Sequence, residues 1–230
     1  MHLHLKNVLT AEELALCQSL LGAQAPWVDG AGSAGGQAVH QKNNQQLAQG
    51  SEASQRLQGL IKTALQRNPL FFSAALPRRF FNPLFNRYGG DANHYGDHVD
   101  SSMLFSAADR QWVRGDLSCT VFLTDPQDYD GGELTITETL GQTHQIKLPA
   151  GDAILYPSST VHQVRPVTRG HRVCSIMWIE SMVRSLEQRK LLFDMDMSLL
   201  QLRHEFGERH PSLIALTGTY HNLLRMWGDV

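Results

Sequence analysis

Long apolar runs are missing from this 230-residue chain. No stretch approaches the roughly 18–20 consecutive apolar residues that a membrane span needs. The opening Met1-His2-Leu3-His4-Leu5-Lys6 also lacks the basic-then-apolar layout of a secretory signal. A cytoplasmic protein with no membrane partner is therefore expected. Cysteine is scarce: Cys17, Cys119 and Cys174 lie far apart, form no C-x-x-C pair and cannot all pair with one another. They fit a reducing compartment and read as buried structural thiols. Net charge is nearly absent as well, at -2 from 20 basic and 22 acidic residues, which argues against a large basic surface made for nucleic acid. What remains is 42% hydrophobic and 18% charged, enough for a real buried core. Eleven histidines are the compositional oddity.

The chain changes texture twice. Thr10 followed by Glu13 makes a capping box, and Leu14, Cys17, Leu20 and Leu21 recur at helical spacing behind it. A second amphipathic helix is expected from Ser51 to Arg67, carrying Leu57, Leu60, Ile61 and Leu65 and stopped at Asn68-Pro69. Between them, Gly30 to Gly36 has no following Lys-Ser/Thr and no strand-then-helix frame, so it reads as a flexible loop rather than a phosphate cradle. After Pro77, short aromatic and β-branched runs alternate with Gly, Asp and Pro. They are Arg79–Tyr88, Leu117–Leu123, Glu133–Glu138, His144–Leu148, Ala153–Tyr156, Val161–Val164 and Arg172–Ile179, a pattern that predicts an all-β sandwich or barrel. From Ser181 the spacing turns helical again, over Met182–His204 and Pro211–Met226. Three parts are expected: residues 1–76 with helices packing on the core, 77–180 as the β domain, and 181–230 as a helical extension. The extension has two arrangements open to it, covering the barrel of its own chain or packing against another subunit in a homo-oligomer.

The chemistry concentrates in Asn86-Arg87-Tyr88-Gly89-Gly90-Asp91-Ala92-Asn93-His94-Tyr95-Gly96-Asp97-His98-Val99-Asp100. On a strand, His98 and Asp100 project from one face toward one point. An imidazole and a carboxylate so placed supply two of the three ligands of a facial triad that leaves open positions on a six-coordinate metal. His162, on a later predicted strand, is the candidate third ligand. Arg172 follows ten residues on, and Arg165-Pro166-Val167-Thr168-Arg169-Gly170 between them reads as the turn that makes His162 and Arg172 neighbours on adjacent antiparallel strands. A guanidinium there suits the far carboxylate of a diacid whose near end chelates the metal. Another hairpin register would present Arg169 instead. His94, His144 and His171 share no strand face with a second donor at ligand spacing and read as solvent or loop histidines. Asp97 points away from His98, and Asp130-Gly131-Gly132-Glu133 reads as a tight turn entering a strand.

Over Pro77 to Ile179 these residues resemble the iron(II)- and 2-oxoglutarate-dependent dioxygenases of the double-stranded β-helix, or jelly-roll, fold, specifically the prolyl/lysyl hydroxylase-domain (PKHD-type) hydroxylases. The helical tail is similar to the C-terminal extension of their bacterial members. The resemblance implies that His98, Asp100 and His162 ligate Fe(2+) and that Arg172 binds the 5-carboxylate of 2-oxoglutarate. It also implies that Tyr88 places its hydroxyl on the same carboxylate and that Tyr95 is an aromatic neighbour of the iron.

The activity so implied is hydroxylation of a C–H bond coupled to decarboxylation of 2-oxoglutarate to succinate and carbon dioxide, with L-ascorbate (vitamin C) rescuing over-oxidised iron. The substrate class stays open between prolyl or lysyl side chains and small metabolites. Two other readings are a non-catalytic iron or 2-oxoglutarate sensor acting through a protein partner, and a cupin-like metal enzyme without 2-oxoglutarate. A diacid anchor at Arg172 argues against the latter.

Overall fold

The computed structural model of the protein describes residues 2–106, 110–138 and 140–230. In chain order its strands are β1 (Leu3–Leu5), β2 (Trp27–Asp29), β3 (Lys42–Asn43), β4 (Gln45–Leu47), β5 (Pro77–Phe80), β6 (Leu84–Tyr88), β7 (His94–His98), β8 (Met103–Ser106), β9 (Gln111–Arg114), β10 (Leu117–Phe122), β11 (Asp130–Gly131), β12 (Leu134–Thr137), β13 (Thr143–Ile146), β14 (Ala153–Pro157), β15 (Val161–Val164), β16 (Val167–Arg169) and β17 (Arg172–Ser181). Its α-helices are α1 (Ala11–Leu20), α2 (Glu52–Gln66), α3 (Pro69–Ala75), α4 (Leu186–Phe206) and α5 (Pro211–Trp227). An eight-stranded antiparallel sheet, ordered β1-β14-β10-β17-β6-β4-β2 with β5 also on β17, faces a five-stranded sheet ordered β13-β12-β15-β7-β3. The protein is thus mainly β, with a jelly-roll core and helices at both ends.

Two apolar layers share the large sheet. Along β10, Leu117, Cys119 and Val121 pack with Cys17, Leu57, Ile61 and Leu65 of the helices. The alternate residue Phe122 joins Ile136 and Val164 on the side of the small sheet. β14 divides the same way, with Ala153 and Leu155 toward the helices and Ile154 and Tyr156 toward the small sheet. Every residue of both strands is buried, as a strand covered on both faces requires. All three cysteines are buried and free.

Several boundaries follow from local chemistry. The Thr10–Glu13 capping box forms at the head of α1. Asn68-Pro69 ends α2 as expected but also opens α3, because Asn68 accepts from the Phe71 N–H and Pro69 occupies the first turn, where its missing donor costs nothing. The Gly30–Gly36 segment is not a free loop: Asp29 caps a 3-10 turn over Gly30–Ser33, and a second runs from Gly36 to Gln41. The first 76 residues also contribute four strands, which join both sheets.

His162 and Arg172 do not lie on adjacent strands. β15 is hydrogen-bonded on both edges, by β12 and β7, and β17 is likewise flanked, by β10 on one side and by β5 and β6 on the other. Neither has an edge free for the other. The chain between them crosses from the small sheet to the large one, and β16 pins this crossover to β11. Gly131 makes that pairing with φ +71, and a Cβ there would stand 2.1 Å from the Pro166 carbonyl oxygen. Gly131→Ala is expected to lower stability by about 1–3 kcal/mol in urea unfolding, and an unchanged midpoint would contradict this account of the crossover.

A separate core holds the C-terminal extension: Leu192 and Leu199 of α4 meet Leu213 and Tyr220 of α5 over Leu76 and Val183. Ser73 of α3 donates to Asp196 of α4 at 2.5 Å, tying this layer to the helices of the N-terminal segment.

Candidate active site

His98 closes β7 and is paired directly with His162 of β15, so the two side chains share one face of the small sheet. Their ring centroids are 4.2 Å apart. His98 Nδ1 lies 2.8 Å from the Gly96 carbonyl oxygen, and His162 Nδ1 lies 2.9 Å from that of Thr160. A carbonyl only accepts, so each Nδ1 carries a proton, and in the neutral imidazole it is Nε2 that holds the lone pair.

Asp100 is not on the strand with His98; it lies two residues beyond the end of β7. Its position is set from the opposite sheet, where Ser118 of β10 donates to Asp100 Oδ2 at 2.5 Å. With its one proton spent there, the Ser118 oxygen accepts from the Ser158 hydroxyl at 2.8 Å. Asp100 Oδ1 stands 3.9 Å from His98 Nε2 and Oδ2 stands 3.6 Å from His162 Nε2. The three side chains are 5%, 10% and 5% exposed in the order His98, Asp100, His162, and their donor atoms all fall within 4.8 Å of one another.

Aromatic rings fix both imidazoles. Tyr95 stacks on His98 with centroids 3.6 Å apart and planes at 14°, and Tyr156 meets His162 edge-on at 5.1 Å. Burial pushes the Tyr95 and Tyr156 phenols well up, so both are neutral.

The same cavity is lined by Arg172 and Tyr88. Arg172 begins β17 opposite Tyr88 of β6, is 1% exposed, and lies with its guanidinium carbon 5.3 Å from the Tyr88 ring and 5.2 Å from that of Phe122. It donates to Cys174 Sγ at 2.9 Å, and its Nε has no hydrogen-bond partner among the described residues. No carboxylate among the described residues forms an ion pair with it. Arg169, by contrast, is exposed and bound to Asp130 through Nε at 2.7 Å and a second N–H at 3.0 Å, outside the cavity.

Sequence reasoning passed over Ser118, Ser158 and Lys42. The alternation of Ser118 and Thr120 within an otherwise apolar run was a readable sign of a polar inner face. Nothing near Ser158 or Lys42 marks either. Lys42, on β3 opposite Tyr95, is 8% exposed and gives one hydrogen bond, to Ser33 Oγ at 2.6 Å. Burial lowers its pKa to about 8, against the opposing pull of Asp100.

Residues 83–180 match the 2OG-Fe(II) oxygenase superfamily, and residues 187–229 match the PKHD-type hydroxylase C-terminal domain. A PKHD-type hydroxylase of Variovorax paradoxus (strain S110) is 55% identical over 230 residues, all of both chains. One of Azoarcus sp. (strain BH72) is 56% identical over 223 residues, 97% of each. Among solved structures, a prolyl hydroxylase from Trichoplax adhaerens, in complex with a hypoxia inducible factor oxygen degradation domain peptide fragment, superposes with TM-score 0.54 over 83% of this chain and 86% of that one, at 15% identity. The fold and these matches define a 2OG-Fe(II) oxygenase. Within that superfamily the chain belongs to the PKHD-type hydroxylases, enzymes whose family implies iron(II) and 2-oxoglutarate. A non-catalytic sensor finds no support among these relatives.

Burial, and then the neighbouring His162 imidazole, hold the His98 pKa down to about 4. In an unfolded chain histidine titrates near 6.5. Between those values the unfolded chain binds a proton that the folded chain refuses, so stability rises with pH. For metal-free protein this contribution is complete above about 6.5 and is lost as the pH falls to about 4. Urea midpoints measured from pH 7 down to 4.5 should fall, and less steeply for His98→Gln; equal slopes would refute the assignment.

Proposed function

We propose that His98, Asp100 and His162 hold iron(II), and that Arg172 anchors the 5-carboxylate of 2-oxoglutarate. Arg172 would be assisted by Tyr88, and Tyr95 would pack beside the metal. The observation that carries this reading is the pairing of two features at one cavity. Two imidazole Nε2 lone pairs and a carboxylate converge there, and a buried guanidinium faces the same space without an anionic partner. Two neutral nitrogens and one carboxylate suit a divalent iron that keeps positions free for further ligands. A guanidinium cannot shed its charge, and burying it unpaired costs several kcal/mol; a ligand carboxylate of matching planar geometry removes that cost.

Iron(II) held there with 2-oxoglutarate would let dioxygen act as the oxidant, one oxygen atom ending in the hydroxylated product and the other in succinate as carbon dioxide is released. The rest of the work belongs to the chain. The Nδ1 bonds to the Gly96 and Thr160 carbonyls orient both imidazoles, and Ser118, backed by Ser158, holds the carboxylate. Arg172, packed against the Phe122 ring, and Tyr88 line one side of the cavity, and Lys42 adds a second cation, which favours a dianionic cosubstrate over a neutral one. The hydroxylated C–H bond belongs to a prolyl- or lysyl-type residue or to a small metabolite, with L-ascorbate as the reductant that returns stray ferric iron to the ferrous state. Three buried free thiols support a reducing, cytoplasmic setting.

The test is anaerobic loading with iron(II) and 2-oxoglutarate, admission of oxygen and measurement of succinate. Asp100→Ala should abolish turnover. Arg172→Ala should weaken 2-oxoglutarate binding by about 10- to 150-fold, the loss expected for hydrogen bonds to a charged group worth roughly 1.5–3 kcal/mol. Full turnover in both variants would sink the assignment. Ser118→Ala leaves Asp100 without its donor and should lower iron affinity by about 10- to 100-fold in competition with a chelator, with the folded structure retained by circular dichroism.

A further inference from the structure

A second convergence of donors lies away from this cavity. We propose that His2, Glu138 and His144 form a separate binding site for a first-row transition-metal dication of tetrahedral preference, such as Zn(2+), and that the ion fastens the edges of the two sheets together.

His2 immediately precedes β1, the outermost strand of the large sheet, while Glu138 follows β12 and His144 lies on β13, the outermost strand of the small sheet. His144 is therefore a strand residue with neighbouring donors, not an isolated solvent histidine. It is paired with Ile136, which is paired in turn with His162. The cluster thus sits two strands, roughly 10 Å, from the histidines of the active site.

The distances suit a small ion. Glu138 Oε1 is 3.4 Å from His144 Nε2 and 3.7 Å from His2 Nδ1, and the two imidazole centroids are 4.4 Å apart with planes at 50°. A tetrahedral zinc with arms of roughly 2.0–2.2 Å separates its ligand atoms by roughly 3.3–3.6 Å. His144 Nε2 is itself buried with no hydrogen-bond partner among the described residues, although its side chain as a whole is 38% exposed. The nitrogen is turned into the cluster while the ring edge meets solvent.

The backbones carrying the donors are already fixed. Glu138 N–H donates to the Gln142 carbonyl and the Gly141 N–H to that of Glu138, each at 2.8 Å. His144 is in the β12–β13 ladder and His2 is held by the Leu3–Leu155 pairing beside it. Little ordering cost is left for binding. Three protein ligands leave a fourth position, on the solvent side, for water or an external ligand. An ion there would join residue 2 to residue 144 and so cross-link two edges that no main-chain hydrogen bond connects.

The full chain carrying His98→Ala and Asp100→Ala, with the active site silenced, is dialysed against Co(2+), and the metal is counted and its visible spectrum recorded. The proposal expects one ion per chain with the intense bands of four-coordinate cobalt, and a rise in melting temperature. Adding His2→Asn, at a residue ahead of the first strand and with the fold checked by circular dichroism, should weaken binding by at least about tenfold and remove the bands; His144→Gln should do the same. In the otherwise unaltered chain the count should be two, falling to one with His2→Asn. Absence of bound cobalt in the silenced chain, or binding that survives His2→Asn, would overturn the proposal without touching the active-site assignment.

Discussion

Side-chain alternation along strands buried on both faces is the constraint on which this molecule depends. β10, β14 and β17 each run between a helical layer and the small sheet, so every residue is committed to one of two interiors. On β17, Val173, Met177 and Ile179 enter the helix-side core, while Cys174 and Ile176 face the small sheet with Arg172 at their head. A register slip of one residue would drive the Arg172 guanidinium into the helix-side core near Leu21 and Leu123 and would turn Val173 into the cavity. The apolar core therefore does more than stabilise the fold: its refusal of charge selects the one register that builds the site.

That register also keeps opposite charges apart. Asp100 and Arg172 both face one cavity, and in a flexible chain they would collapse into an ion pair. Here Asp100 is attached to the small sheet and tied to Ser118, while Arg172 is rooted in the large sheet beneath Tyr88 and Phe122. Cation–π contacts return about 0.5–2 kcal/mol, less than the several kcal/mol of burying an unpaired ion. The folded chain carries this deficit because its hydrophobic layers are large enough to hold it, and the deficit is a ready source of binding energy for a carboxylate.

The parts of this arrangement that were legible in the sequence are those that repeat with a period. Alternation gave β10, β14, β15 and β17 nearly to the residue, and the Thr10–Glu13 box gave the start of α1. The His-x-Asp spacing, the distant histidine and the arginine ten residues later gave the family. Pairing partners were not legible, because hydrogen bonds between strands depend on which edges are already occupied. The hairpin expected between His162 and Arg172 failed for that reason: both strands are filled on both sides, and the intervening residues cross between sheets instead. Asp100 was expected on the strand, but the β7 ladder ends at His98, and its placement depends on Ser118 from a different sheet. The Gly30–Gly36 segment looked featureless because the residues that order it, Asp29, Lys42 and Gln46, act through Ser33 or backbone groups that no motif marks.

The segment that sequence described least forms one wall of the cavity. Ser33, Ala34 and Ala38 face the triad, and Lys42 reaches in from β3. The stretch matching the broad superfamily begins only at residue 83, whereas identity to the PKHD-type relatives runs the full length of the chain. The cavity is thus built from two sources under different demands. The barrel contributes His98, Asp100, His162 and Arg172, the residues proposed above to hold a metal and a diacid. The N-terminal wall contributes a buried ammonium, a hydroxyl and small side chains, none of them among the proposed metal ligands. Among the described residues Lys42 gives one hydrogen bond, to Ser33, in a place where each unmade hydrogen bond is costly. A buried cation held on those terms is poised to meet an anionic group that enters the cavity, so this wall takes part in what the cavity accepts.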